Sequence, residues 1–211
     1  MAISDLRRDF SGDVLSESNT PTEPMALFAK WWSEATEKNL KDINEVALAT
    51  SSLAGTPSVR MVLLKGWSDL GFEFYTNYES PKARNLLENP KAELLIWWAD
   101  MDRQIRISGD VRKSTREQSK AYFHTRPRSS QLGALASRQS QILDTKEILI
   151  REIETLEKTF LNQPVPLPEN WGGFILSPTK MEFWQGQPSR LHDRIIYEKN
   201  PIEWKKFQVF P

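Results

Sequence analysis

Three short stretches of the 211-residue chain collect side chains suited to gripping an anion or facing a polar ring. In Ala121-Tyr-Phe-His-Thr-Arg-Pro-Arg-Ser-Ser-Gln-Leu-Gly133, Tyr122 and Arg126 stand four residues apart, on one face of a helix that Pro127 would end. A phenol, a forked guanidinium and the hydroxyls of Ser129 and Ser130 then share one small region, an inventory able to hold a phosphate monoester through charge-assisted hydrogen bonds. In Arg60-Met-Val-Leu-Leu-Lys65, an apolar strand is basic at both ends, and strand parity sends Arg60 and Lys65 to opposite faces. In Trp184-Gln-Gly-Gln-Pro-Ser-Arg-Leu-His-Asp-Arg194, a flexible turn leads into strand-like alternation that puts Arg190, His192 and Arg194 on one face. Three basic groups so aligned repel one another unless an anion or carboxylates lie between them. On spacing alone the first two stretches fit an ordinary basic helix end and a strand with solubilising ends better, and the third is balanced between site and surface.

Other chemistries are excluded more firmly. The chain has no cysteine, which removes disulfides, thiolate nucleophiles and zinc-thiolate sites and fits a reducing compartment. Its two histidines, His124 and His192, have no paired spacing for a multi-histidine metal site, so no metal is expected. No Gly-x-Gly-x-x-Gly or Walker-type loop is present, and no Gly-x-Ser-x-Gly elbow accompanies His192 and Asp193. Lys plus Arg and Asp plus Glu are both 28, so no global field draws the chain to nucleic acid or an anionic membrane. The polar residues after Arg7-Arg8-Asp9-Phe10 argue against a twin-arginine signal, and no apolar run reaches the roughly 20 residues of a membrane span. A cytoplasmic location is expected, and a cofactor must supply the reactive atom of any enzyme built from these parts.

The elements that would position these stretches are mostly short strands. Residues 1 to 22 read as a polar, flexible arm or lid, and 23 to 211 as one domain. Pro24 starts a helix whose Leu27, Phe28, Trp31 and Ala35 form an apolar stripe. Strands are predicted over 46–50, 58–65, 72–76, 92–98 and 104–111, and again over 173–177, 181–184, 194–197 and 204–210. Helices are predicted at 80–88, after a capping box Ser114-Thr-Arg-Glu117, and from the cap at Asp144 to Glu147, with Leu149, Ile153, Leu156 and Phe160 as the last seam. Trp31, Trp32, Trp97, Trp98 and Trp204 are assigned to cores or interfaces. Many short antiparallel strands with appended helices indicate an α+β protein built on a closed barrel.

The ordered set Arg60-Met-Val-Leu-Leu-Lys65, Phe74-Tyr-Thr-Asn77, Tyr122-Phe-His-x-Arg-Pro-Arg128, Ser130-Gln-x-Gly133, Ser137-x-Gln-Ser140, Pro166-x-Pro-x-x-Trp-Gly-Gly-Phe174 and Glu182-Phe-Trp-Gln-Gly186 to Arg190-Leu-His-Asp-Arg194 resembles the pyridoxamine 5'-phosphate oxidase family from about Leu6 to Pro211. The resemblance implies an FMN-binding split β-barrel, mostly antiparallel with peripheral helices, in a homodimer with FMN at the interface. It implies flavin contacts from Arg60, Lys82, Tyr75, Thr76, Gln104, Gln139, Ser140, Trp184 and Arg194, with Met61, Val62 and Leu63 along the ring and Lys65 beside them. Lys65, Tyr122, Arg126 and Ser130 would hold the substrate phosphate, Arg190 and His192 would face the pyridine ring as the catalytic pair, and Arg7 and Arg8 would close over it. The implied reaction oxidises pyridoxamine or pyridoxine 5'-phosphate to pyridoxal 5'-phosphate, with dioxygen ending as hydrogen peroxide. The alternatives are a same-fold oxidase of the phenazine type and a non-catalytic flavin or pyridoxal phosphate carrier. Two departures from the family pattern stand out: Ser80-Pro81-Lys82 lacks one flavin-phosphate arginine, and Phe10 replaces a common tyrosine in the arm.

Overall fold

The computed structural model describes residues 2–6 and 8–211, with only the backbone described at Ser4. Eight strands run in chain order: β1 Glu45–Ser51, β2 Pro57–Ser68, β3 Gly71–Asn77, β4 Lys91–Trp98, β5 Arg103–Lys113, β6 Trp171–Gln185, β7 Asp193–Lys199 and β8 Trp204–Gln208. They form one antiparallel sheet in the order β3-β2-β1-β4-β5-β6-β7-β8. A further antiparallel pairing of β3 with β6, through Tyr75 opposite Gly173, closes the first six strands into a barrel. Closure leaves no edge among those six, and β7 and β8 extend outward from β6.

Successive side chains of the barrel wall alternate between its interior and its outer face. Val46, Leu48, Leu64, Phe72, Phe74, Leu94, Ile96, Ile105, Ile107 and Phe183 all point inward and are buried. The helix α1, Pro24–Glu37, lays Leu27, Phe28, Trp31 and Ala35 against this core. Phe28 meets the Phe72 ring edge-on at 4.9 Å and Trp31 meets Phe183 at 5.2 Å. Each such buried side chain contributes about 1.5–3 kcal/mol. The remaining helices are α2 Pro81–Glu88, α3 Arg116–Thr125, α4 Arg128–Ala136 and α5 Lys146–Thr159. The last three make a second core with Phe123, Leu132, Val165 and Trp171, against which Ile153, Leu156 and Phe160 of the predicted seam pack.

Several local expectations shift. The capping box of α3 is Thr115 with Gln118, one residue beyond the predicted pair, because the Ser114 hydroxyl is bonded to Ser119 instead. The N-cap of α5 is Thr145. The two strands predicted over 173–177 and 181–184 are a single strand, β6, and α4 restarts a helix directly after Pro127. The predicted strand face carrying Arg190, His192 and Arg194 is absent: Pro188–Arg190 is a 3-10 turn, Ser189 and Arg190 have φ of 56° and 62°, and only Arg194 lies in β7. The left-handed backbone at Ser189 and Arg190 breaks the alternation that parity assumed.

The arm before α1 is bonded along much of its length. Gly12 donates to the Gly186 carbonyl, Leu15 N to Asp193, and the Tyr197 hydroxyl to the Pro21 carbonyl. Arg103, only 5% exposed, ties arm to helix: it pairs with Glu34 of α1 and with Asp13 at 3.6 Å, donates to Gln185 at 2.8 Å, and lies 4.5 Å over Trp31. Arg103→Leu is expected to cost about 2–4 kcal/mol, because it strands partners assembled around a buried charge. Urea unfolding would show this as a lower midpoint at unchanged slope.

Candidate active site

The β2 strand sets one wall of the site. Alternation turns Met61 and Leu63 outward, where they are 60% and 45% exposed, while Arg60 turns away to donate to the Leu48 carbonyl and Thr50 hydroxyl at 2.9 Å each. The expected opposition of Arg60 and Lys65 holds, Lys65 lining the cavity with Met61 and Leu63 while Arg60 does not, and the β2–β3 register slips between Leu64 and Gly66. Met61, Val62, Leu63 and Lys65 line a cavity of about 630 Å³ together with Tyr75, Thr76, Lys82, Tyr122, Arg126, Ser130 and Gln139. Eleven expected site residues thus share one space, joining β2, β3, α2 and the α3–α4 corner.

That corner is built by the proline. The helix α3 ends at Thr125, Arg126 takes an extended conformation at ψ 149°, and Pro127 leads into α4. Arg126 therefore reaches the cavity from the helix cap instead of from an uninterrupted helical face. Its guanidinium lies 4.8 Å over the Trp171 ring, and its Nη1 is buried without a hydrogen-bond partner. Tyr75, Tyr122 and Trp171 stack nearly parallel, with 4.1 Å between the tyrosine rings and 5.5 Å from Tyr75 to Trp171. Gly173 permits this: a Cβ there would come within 2.8 Å of the Tyr75 ring. Burial and the neighbouring Glu73 push the Tyr75 phenol up to about 12, and burial raises Tyr122 as well, so both remain O–H donors.

The charge in the cavity is unbalanced. Lys82 is 9% exposed, and its Nζ reaches only the hydroxyls of Thr76 and Ser80, both at 3.3 Å. Burial lowers its pKa, and the nearby Arg60 guanidinium lowers it further. Burial lowers that of Arg126 also. Among the described residues, Arg60, Lys65, Lys82 and Arg126 form no ion pair with a carboxylate. Lys82 and Arg126, desolvated and without acids, the second with an orphaned donor, suit phosphate groups, and the apolar edge of Met61 and Leu63 suits a flat ring. The residues present therefore fit a phosphorylated flavin and a phosphorylated substrate.

The other expected site residues lie elsewhere. Gln104, Trp184 and Arg194 stand side by side across β5, β6 and β7, with Trp97 of β4 next in the row. Arg194 donates to Glu182 at 2.9 Å and to the Phe210 carbonyl at 3.0 Å. The His192 ring lies 4.6 Å from Trp184, and Phe10 of the arm meets both edge-on, at 5.2 and 5.5 Å. Arg8 bonds Asp102 and the Ala99 carbonyl and lies 5.4 Å over Phe10. Arg190 is exposed, and so is Ser140, a residue with φ 68° that does not line the cavity. Arg7 lies outside the described residues. One chain thus carries two separate sets, a cationic cavity and an aromatic cluster holding His192. Trp171 and Asn77 also line the cavity without having been singled out; Trp171 lies in the Trp-Gly-Gly-Phe string, whose glycines signal close packing.

Two family models match the chain. Residues 33–160 match the family model described as "Pyridoxamine 5'-phosphate oxidase". The chain belongs to the pyridoxamine 5'-phosphate oxidase family. Residues 171–211, which include Trp184, His192 and Arg194 of the aromatic cluster, match the "Pyridoxine 5'-phosphate oxidase C-terminal dimerisation region". The chain is 47% identical to the pyridoxine/pyridoxamine 5'-phosphate oxidase of Acaryochloris marina, over 96% of this chain and 93% of the relative. It is 42% identical to that of Rubrobacter xylanophilus, over 99% and 96%. Among solved structures, PhzG from Burkholderia lata, in complex with tetrahydrophenazine-1-carboxylic acid, superposes with a TM-score of 0.89 at 31% identity, covering 95% of this chain and all of that one. A pyridoxamine 5'-phosphate oxidase-related FMN-binding protein of Nostoc punctiforme shares the fold, at TM-score 0.71 and 19% identity over 90% and 98% of the two chains.

In this family setting His192 carries a pH prediction. Burial and the neighbouring Arg190 lower its pKa from 6.5, outweighing Asp193, so the imidazole stays neutral down to below pH 6.5. An acid limb in kcat/KM is expected below that pH, and His192→Gln is expected to abolish it. Initial rates from pH 5 to 9 would measure both.

Proposed function

We propose that this chain is an FMN-dependent oxidase that converts pyridoxamine 5'-phosphate, and pyridoxine 5'-phosphate, with dioxygen to pyridoxal 5'-phosphate and hydrogen peroxide. The observation that carries the reading is the acid-free cationic cavity bordered by the apolar edge of β2. Relatives named for this activity cover nearly the whole chain at 42–47% identity.

When bound, FMN supplies the two-electron acceptor. Lys82, Thr76, Tyr75 and Gln139, with Arg60 behind them, hold its phosphate end, and Met61, Val62 and Leu63 lie along its ring. Lys65, Tyr122, Arg126 and Ser130 grip the substrate phosphate, fixing the reacting carbon by a charged anchor remote from it. Arg190 and His192 face the pyridine ring, His192 as a neutral donor and Arg190 as a fixed positive charge that stabilises charge developing on the ring. Gln104, Trp184 and Arg194 complete the flavin site, with Ser140, and Arg7 and Arg8 belong to the arm that covers it.

In this reading a second copy of the chain brings the aromatic cluster of one protomer to the cavity of the other. The support is the separation of the two sets within one chain and the dimerisation region matched over 171–211. The reading keeps the cytoplasm as the compartment, in line with the charge-balanced, cysteine-free sequence. No described helix is long and apolar enough to cross a membrane.

The backbone similarity to PhzG makes a phenazine-type substrate the second reading. A spectrum of the FMN-loaded protein separates the two. Anaerobic pyridoxamine 5'-phosphate should bleach the flavin band, and air should restore it as an aldehyde appears. A bound flavin that ignores this substrate would favour the second reading or a carrier, and a protein that takes up no FMN would end both oxidase readings.

A further inference from the structure

The aromatic cluster is held together by a small polar knot. Asp193 Oδ2 accepts from Leu15 N of the arm at 3.0 Å and from Gln187 Nε2 at 2.9 Å. The same Gln187 Nε2 donates to the Asp13 carbonyl at 2.8 Å, so one carboxylate oxygen and one amide bridge the arm to the 187–193 loop. Gln187 N then donates to His192 Nδ1 at 3.1 Å. An Nδ1 that accepts leaves the proton of the neutral ring on Nε2. Above the knot, Gly12 N bonds the Gly186 carbonyl at 3.0 Å, and a Cβ on Gly186 would come within 2.6 Å of the Phe10 ring, so arm and loop interlock at van der Waals contact.

The loop itself is not a relaxed structure. Ser189 and Arg190 both occupy left-handed backbone, a strained conformation for residues other than glycine. Such a loop keeps its shape only where surrounding bonds over-determine it, and those bonds run to the arm through Asp193 and Gln187.

We propose that Asp193 is a positioning residue that couples docking of the N-terminal arm to the orientation and tautomer of His192. With the arm seated, the Gln187 amide is fixed, His192 presents Nε2–H, and Phe10 covers the Trp184 and His192 rings from solvent. With the arm released, Gln187 loses its anchor on the Asp13 carbonyl, the strained loop relaxes, and the imidazole is free to exchange tautomers. Arm closure and readiness of the ring-facing donor are then one event. This deepens the oxidase reading and rests on it for the role of His192, but the coupling itself is tested without substrate.

The chain's two histidines make the readout direct, since a His124→Gln background leaves one imidazole in a 15N side-chain spectrum. In FMN-loaded protein at pH 8, His192 is expected as a single Nε2–H tautomer, and trypsin is expected to cut slowly after Arg8. Asp193→Ala should give a mixed tautomer and at least a tenfold faster cut, with Asp193→Asn intermediate. Gln187→Ala, which leaves the backbone donor in place, should reproduce both changes and serves if Asp193→Ala does not fold. With substrate, both variants should lose kcat more than they raise KM, because the phosphate grip is remote from the knot. A His192 that stays Nε2–H while the arm is released, or an arm that stays protected in both variants, would overturn the coupling. Failure of the wild type to oxidise pyridoxamine 5'-phosphate would instead strike the functional reading and leave the tautomer result standing.

Discussion

Arg126→Met is expected to raise KM for pyridoxamine 5'-phosphate about 100-fold while changing kcat only a few-fold, with no loss of thermal stability. The buried Nη1 has no partner in the protein, and burial works against the charge. A cation held in that state weakens the unliganded fold and is compensated when an anion arrives. Hydrogen bonds to charged groups are worth about 1.5–3 kcal/mol each, and losing one or two accounts for the expected factor. The effect falls on KM because the phosphate is gripped equally in ground and transition states. Arg126→Lys keeps the charge and loses the fork, so its KM should lie between the two. Steady-state oxygen uptake and a thermal melt together decide the matter: a lowered melting temperature with unchanged KM would make Arg126 a structural residue stacked on Trp171.

Lys82→Met is expected to weaken FMN binding by roughly 10–100-fold, from the same range of charge-assisted bond energies. The departure Ser80-Pro81-Lys82 concentrates the load, since the position before the lysine offers no guanidinium. In the unliganded protein its Nζ has only two hydroxyls at 3.3 Å and a guanidinium near enough to depress its pKa. The sign of the pH effect follows. With a pKa below 10.5, this ammonium loses its proton at a lower pH than an ordinary lysine, so FMN affinity should begin to fall on the alkaline side before 10.5. That step should vanish in Lys82→Met. Fluorescence titration of apoprotein with FMN at several pH values and salt concentrations would check both; equal affinity in the two proteins would move the flavin phosphate away from Lys82.

What could be read in advance divides along the range of the interactions. β-rich runs bounded by turn signals, and helical spacing, act over a few residues, and they located the strands, though β6 was divided in two. Parity likewise separated Arg60 from Lys65. The one-residue errors at Thr115 and Thr145 arose because Ser114 and Asp144 are equally good caps in isolation, and only the Ser114–Ser119 bond breaks the tie for the first. Arg190 misled parity because a 3-10 turn with left-handed residues has no two-residue period. The gathering of eleven side chains into one cavity was reached through family motifs, since a cavity spanning β2, β3, α2 and the α3–α4 corner leaves no local mark. The knot of Asp193, Gln187 and the arm, spanning nearly the whole chain, left none either.

The pairing of β3 with β6 has a kinetic side. Tyr75 and Gly173 meet across a separation of about 100 residues, so the ring of strands is completed only after a long loop has lost its conformational freedom. On a ribosome adding about 5–20 residues per second, β1 to β5 are synthesised and wait several seconds, with β3 and β5 unpaired along one side, before β6 emerges. Those waiting strands carry Phe72, Phe74, Ile105 and Ile107, which makes the interval before β6 arrives the period when this chain is most open to aggregation.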